Sequence, residues 1–155
     1  MAMSARRLGG AATAAAIAAL LALASGCGAA PAPQTTTVRC ATKAGARCAG
    51  RAGALRATIV PSTHSPVVNR KWPLEVGATV AGKPAKASAV YDFLYGSLVV
   101  SAQHPFGNKH FTFTGTYHDN LVFPADSLGE PIALEVVVAT GADTVKLIWS
   151  IKAVR

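Results

Sequence analysis

Lys71-Trp72-Pro73-Leu74-Glu75-Val76-Gly77-Ala78-Thr79-Val80 decides the fold class. Trp72, Leu74, Val76, Ala78 and Val80 occupy alternate positions, and Glu75 and Thr79 fall between them. Successive side chains of a strand point to opposite faces, so this spacing predicts a strand with one face in a core and the other toward water.

The pattern repeats outward in both directions. Upstream, Leu55-Arg56-Ala57-Thr58-Ile59-Val60 reads as a short strand stopped by Pro61, and Pro61 to Asn69 as a connecting loop. Downstream, Gly82-Lys83-Pro84 turns the chain, and Ala87, Ala89, Tyr91, Phe93 and Tyr95 alternate with Lys86, Ser88 and Asp92. Gly96-Ser97 is a hairpin-like dipeptide leading into Leu98-Val99-Val100. His104-Pro105-Phe106-Gly107-Asn108 follows as a loop. Phe111 and Phe113 open another strand, with Gly115 as a bulge or bend inside it, and Tyr117, Leu121 and Phe123 continue toward Pro124. Ile132, Leu134, Val136 and Val138 form the next apolar face. After the turn Gly141-Ala142-Asp143, Val145, Leu147, Trp149 and Ile151 form the last. About seven short strands in about a hundred residues predict an all-β, immunoglobulin-like β-sandwich over residues 55–155, with an open barrel as competitor. Trp72 and Trp149 are its expected core anchors. Tyr91, Phe93, Tyr95, Phe111, Phe113 and Tyr117 could form a ligand platform, but their alternation favours core.

The N-terminus has a different character. Arg6 and Arg7 precede an uncharged stretch from Leu8 to Gly26 that ends in Ala24-Ser25-Gly26 before Cys27. These are the parts of a secretory signal. Leu23-Ala24-Ser25-Gly26-Cys27 resembles the lipobox of bacterial lipoproteins, with Ala24 where a leucine is usual. The resemblance implies removal of residues 1–26 and diacylation of Cys27. Cleavage after Ala22-Leu23-Ala24, or retention as a spanning helix, are the competing readings, with a twin-arginine signal as a minor one. The chain has three cysteines, an odd number for an oxidising compartment. Lipid on Cys27 leaves Cys40 and Cys48 as a disulfide pair, worth about 2–3 kcal/mol over so short a loop.

Charge separates along the same lines. The formal net charge is +8, yet all seven acids lie beyond residue 57, where the remaining basic residues nearly balance them. Arg39, Lys43, Arg47, Arg51 and Arg56 form a stretch without an acid. Residues 28–38, with Pro31-Ala32-Pro33 and Thr35-Thr36-Thr37, read as an extended linker. Together residues 27–54 are expected to be a lipid-anchored basic tether carrying the disulfide loop. It would be drawn to anionic lipid or a cell-wall polymer. Export argues against nucleic acid as a partner.

Pro61-Ser62-Thr63-His64-Ser65-Pro66-Val67-Val68-Asn69 leads into the Trp72 strand and then Gly82-Lys83-Pro84. Tyr117-His118-Asp119-Asn120-Leu121-Val122-Phe123-Pro124-Ala125 and Gly129-Glu130-Pro131-Ile132 follow later. Over roughly residues 55–155 these stretches resemble small single-domain Ig-like lipoproteins of high-GC Gram-positive bacteria. The resemblance implies a sandwich on the outer face of the cytoplasmic membrane and carries over no functional residues.

Catalytic signatures are missing: there is no GxSxG, HExxH or SxxK and no cofactor motif. The acids are scattered over different strands and turns. His104, His110 and His118 lie close in sequence and are the alternative, as a zinc or copper site or a hydrolase centre. Their polar surroundings favour ordinary surface histidines. His118 and Asp119 are neighbours on a strand and face opposite ways, so they form no dyad. The leading expectation is a membrane-tethered, non-catalytic module that binds or scaffolds an envelope protein or glycan.

Overall fold

Alternation of apolar and polar residues becomes two stacked sheets. The computed structural model describes residues 32–41, 46–102 and 111–155. In chain order the strands are Thr35–Arg39 (β1), Cys48–Ala52 (β2), Leu55–Pro61 (β3), Lys71–Val80 (β4) and Lys83–Pro84 (β5). Lys86–Tyr95 (β6), Leu98–Ala102 (β7), Phe111–Thr114 (β8), Thr116–Val122 (β9), Pro131–Thr140 (β10) and Asp143–Lys152 (β11) follow. The first sheet has the order β1-β11-β10-β6-β7, with β8 also on β6. The second runs β2-β3-β4-β5, with β9 also on β4. Their facing sides bury Leu55, Ile59, Val76, Leu134, Val136, Val138, Val145 and Leu147 completely. The protein is therefore a β-sandwich.

Gly115 explains how one run of sequence serves both sheets. Its φ of +73° bends the chain between β8 and β9. The first pairs with β6 in one sheet and the second with β4 in the other. The Gly115 amide donates to the Ala85 carbonyl, and its own carbonyl accepts from the Ala78 amide. A side chain there would be strained by the positive φ and would crowd Pro84.

The compact unit includes β1, which begins at Thr35, well before the expected boundary near residue 55. Residues expected to be tether are edge strands instead. β1 pairs in parallel with β11, setting Val38 beside Leu147, and β2 pairs with β3. Cys48, Gly50 and Ala52 face inward. Glycine and alanine are too small to register as a hydrophobic face, which hid this strand from the pattern. The expected Cys40–Cys48 disulfide is present, with Cα atoms 5.4 Å apart. Cys40 directly follows β1, where its amide donates to the Ile148 carbonyl, and Cys48 opens β2. The bond therefore ties an edge strand of one sheet to an edge strand of the other.

Thr63 makes a second tie from the Pro61–Asn69 loop. Its carbonyl accepts from the indole N–H of Trp72 in β4 at 3.2 Å and of Trp149 in β11 at 3.4 Å. His64 stacks on Trp149 with ring centroids 3.8 Å apart, and its Nδ1 lies 2.7 Å from the Ser150 carbonyl. Both tryptophans are buried, as expected of core anchors. A single loop carbonyl thus satisfies two buried donors from opposite sheets.

Among the described residues two charged side chains are buried, Asp119 and Glu135, and Glu135 pairs with Lys146. Asp119 points inward from β9, and its Oδ1 accepts the Asn120 amide at 2.8 Å. Burial pushes the Tyr91 phenol far above its ordinary value, and the neighbouring Asp119 charge pushes the same way. Tyr91 therefore keeps its proton and remains a donor beside the carboxylate.

A Cβ on Gly50 would lie 2.6 Å from Val145 Cγ1 and 3.0 Å from Val38 Cγ2. By strand propensity alone Gly50→Ala should stabilise. Overpacking between the sheets should instead cost about 1–3 kcal/mol in urea unfolding with the disulfide intact. A gain in stability would mean that the sheets do not close around this residue.

Candidate functional site

The side of the sandwich away from the disulfide holds a cleft. β6 and β7 of one sheet and β9 of the other converge there with the 123–130 segment and the start of β10. The cleft measures about 270 Å³. Phe93 and Phe123 line it, both buried, with rings edge-to-face at 5.5 Å. Phe123 makes the same contact with Trp72, which links the cleft to the indole pair behind it. Tyr95, Val100, Val122 and Ile132 form the apolar walls, and Asp126, Ser127 and Glu130 the polar side.

Hydrogen bonds hold the polar side in place. A short 3-10 turn, Ala125–Ser127, follows Pro124. The Ser127 hydroxyl and amide both donate to the Pro124 carbonyl, at 2.6 and 3.0 Å. The Glu130 amide donates to the Ser127 carbonyl, and the Gly129 amide to the Ala153 carbonyl. The two carboxylate-bearing residues thus sit on a backbone fixed at both ends before any ligand arrives.

The walls extend into exposed apolar surface. Leu98 is 67 % exposed and Val122 52 %, and Tyr95, Val99 and Val100 are also exposed. β7 is the last strand of its sheet path, so these side chains lie at an edge. Of these exposed residues Tyr95, Val100 and Val122 line the cleft, so its apolar wall is open to water.

The residues singled out by sequence are distributed elsewhere. Cys27, His104 and His110 lie outside the described residues. His118 sits on the outer face of β9, largely exposed, with Nδ1 3.9 Å from Glu75 Oε2. Asp119 points the opposite way, into the core, as alternation requires. Among the described residues, no three of His, Cys, Asp and Glu are grouped to hold a metal. Of the scattered acids, Asp126 and Glu130 come together at the cleft, while Asp92 and Glu135 pair across β6 and β10 on the first sheet. Of the six strand aromatics considered as a platform, Tyr91, Phe93 and Phe113 are buried and Phe111 and Tyr117 half-buried; Tyr95 is exposed. A signal for the cleft did exist. Leu98-Val99-Val100 breaks alternation with three apolar residues in a row, and Val122 is apolar on an outward position.

The chain matches no known family model, no curated protein and no solved structure.

Floor and wall should separate in stability measurements. Phe123→Ala should cost about 3–5 kcal/mol, because it opens a cavity beside Phe93 and Trp72. Val122→Ser, on the exposed wall, should stay within about 0.5 kcal/mol. Comparable losses for both would place Val122 in the core and remove the cleft wall.

Proposed function

We propose that the chain is a lipid-anchored, extracytoplasmic, non-catalytic module of the bacterial envelope that captures a protein segment in the Phe93–Ile132 cleft. Export and anchoring rest on the Arg6-Arg7 n-region, the uncharged stretch and Cys27. The Cys40–Cys48 disulfide is compatible with an oxidising location. The strand order supports an immunoglobulin-like reading: β3-β4-β9 faces β11-β10-β6-β7, with β6 and β10 adjacent and the last two strands forming a hairpin.

The observation that carries the binding reading is the cleft itself. An apolar floor and exposed apolar walls meet two carboxylates, Asp126 and Glu130, carried on a hydrogen-bonded backbone. The complementary ligand is a large apolar side chain flanked by lysine or arginine. The apolar group would supply affinity and the carboxylates orientation and rate.

Two experiments test this reading. A synthetic peptide with leucine or phenylalanine between lysines should bind the purified protein, and its glutamate counterpart should not. Val122→Asp should weaken that binding at least tenfold, and Asp126→Asn with Glu130→Gln should remove its salt dependence. Equal binding of both peptides would reject the cleft as the site. For the anchor, Cys27→Ser should leave an unprocessed precursor or release the protein from the membrane fraction. Normal processing with retained membrane association would reject lipidation.

A further inference from the structure

The basic stretch of the sequence acquires a shape on the second sheet. β2 and β3 form a hairpin whose register sets Arg51 directly opposite Arg56, both exposed on the outward face. Arg47 is exposed one residue before Cys48, whose disulfide fixes the start of β2. Like charges directly opposite one another on a sheet face repel. Among the described residues the ion pairs are Glu75 with His118 and Glu135 with Lys146, so none of these three arginines has an acidic partner.

A depression lies beside them, about 220 Å³ in volume. Thr58, Gly77, Thr79 and Thr116 line it, with Arg47 and Arg56 among its walls and Glu75 also on its margin. Its depth has a local cause. Gly77 has no side chain, and a Cβ there would run into Thr58 Oγ1. At this point β4 also changes neighbour, from β9 through Gly77↔Thr116 to β5 through Thr79↔Pro84. The break leaves threonine side chains at the rim of a hollow rather than in a continuous face.

The geometry points to a site for a phosphate ester of a polyol. Guanidinium groups offer paired N–H donors that match phosphate oxygens, and the threonine hydroxyls add neutral donors. Glu75 would repel a bare anion on its side of the hollow, but it accepts hydrogen bonds from hydroxyls. A phosphate carrying a glycerol- or sugar-like substituent satisfies both ends: phosphate toward Arg47 and Arg56, hydroxyl toward Glu75. The bound anion also relieves the repulsion between Arg51 and Arg56. The site is separate from the apolar cleft and does not depend on what the cleft binds.

Calorimetric titration of the full chain in non-ionic detergent tests the site with glycerophosphoglycerol as probe. Saturable binding of one molecule per chain is expected. Arg47→Gln and Arg56→Gln should each weaken it about tenfold, the loss of one charge-assisted contact. Lys86→Gln, an exposed charge on β6 of the other sheet, should leave it unchanged. Glu75→Gln should erase the preference for glycerophosphoglycerol over inorganic phosphate. Absence of saturable binding, unchanged affinity in both arginine variants, or equal loss in Lys86→Gln would overturn the proposal. Melting curves of each variant guard against misfolding, and Arg56→Lys, which loses the paired guanidinium donors, supplies a second variant expected to weaken binding if Arg56→Gln fails to fold. Dihexanoyl phosphatidylglycerol below its micelle concentration and a soluble glycerol phosphate oligomer identify the source, lipid head group or wall polymer. Failure of both to displace the probe would also overturn the proposal.

Discussion

Closure of the two sheets along the β1–β2 side is the constraint on which the other features rest. There the Cys40–Cys48 bond joins one sheet to the other, and Gly50 lets Val38, Val145 and Leu147 approach without an intervening side chain. A β-sandwich core is only about one layer of interdigitated side chains thick, so a fixed spacing at one edge limits what fits across the rest. Toward the other edge the space is filled by aromatic rings instead of small residues. Trp72, Phe123 and Phe93 form a chain of edge-to-face contacts that ends at the floor of the cleft. Cleft and disulfide thus lie toward opposite edges of one core.

The Pro61–Asn69 loop ties the two sheets together a second time. Through the Thr63 carbonyl it holds an indole from each sheet, and through His64 it covers the face of Trp149. Buried indole N–H groups without an acceptor would each cost about 1–3 kcal/mol. A single peptide unit therefore fixes both large core anchors at once. Their positions in turn fix Phe123, and with it the entry into the rigid turn that carries Asp126 and Glu130. Any function of the cleft is consequently coupled to core packing behind it, while the arginine face of the second sheet is coupled to the disulfide edge.

Strong alternation made much of this legible from the sequence. β4, β6, β10 and β11 carry apolar residues on every second position, several of them large, and the structure places them as strands. β1 and β2 were hidden for a physical reason: β1 turns only Thr36 and Val38 inward and β2 only Cys48, Gly50 and Ala52, too few large apolar groups to stand out among five nearby basic residues. The charged stretch looked like a tether because charge suggests solvation, yet arginines on the outer face of an edge hairpin are equally solvated. The cleft was illegible because β6, β7, β9, β10 and a loop supply it from positions far apart in the chain. Only the unbroken Leu98-Val99-Val100 run and the outward Val122 announced it.

Amide hydrogen exchange on the oxidised, full-length protein tests the closure most directly. The Cys40 amide donates to the Ile148 carbonyl, and the Thr144 amide to the Gln34 carbonyl, so both report on the seam between β1 and β11. If β1 and β2 belong to the sandwich, these amides should exchange nearly as slowly as those at the centre of β10, opening only with global unfolding. Exchange at the rate of an unstructured peptide would contradict it, returning the segment to the role of a tether and leaving the core open along that edge.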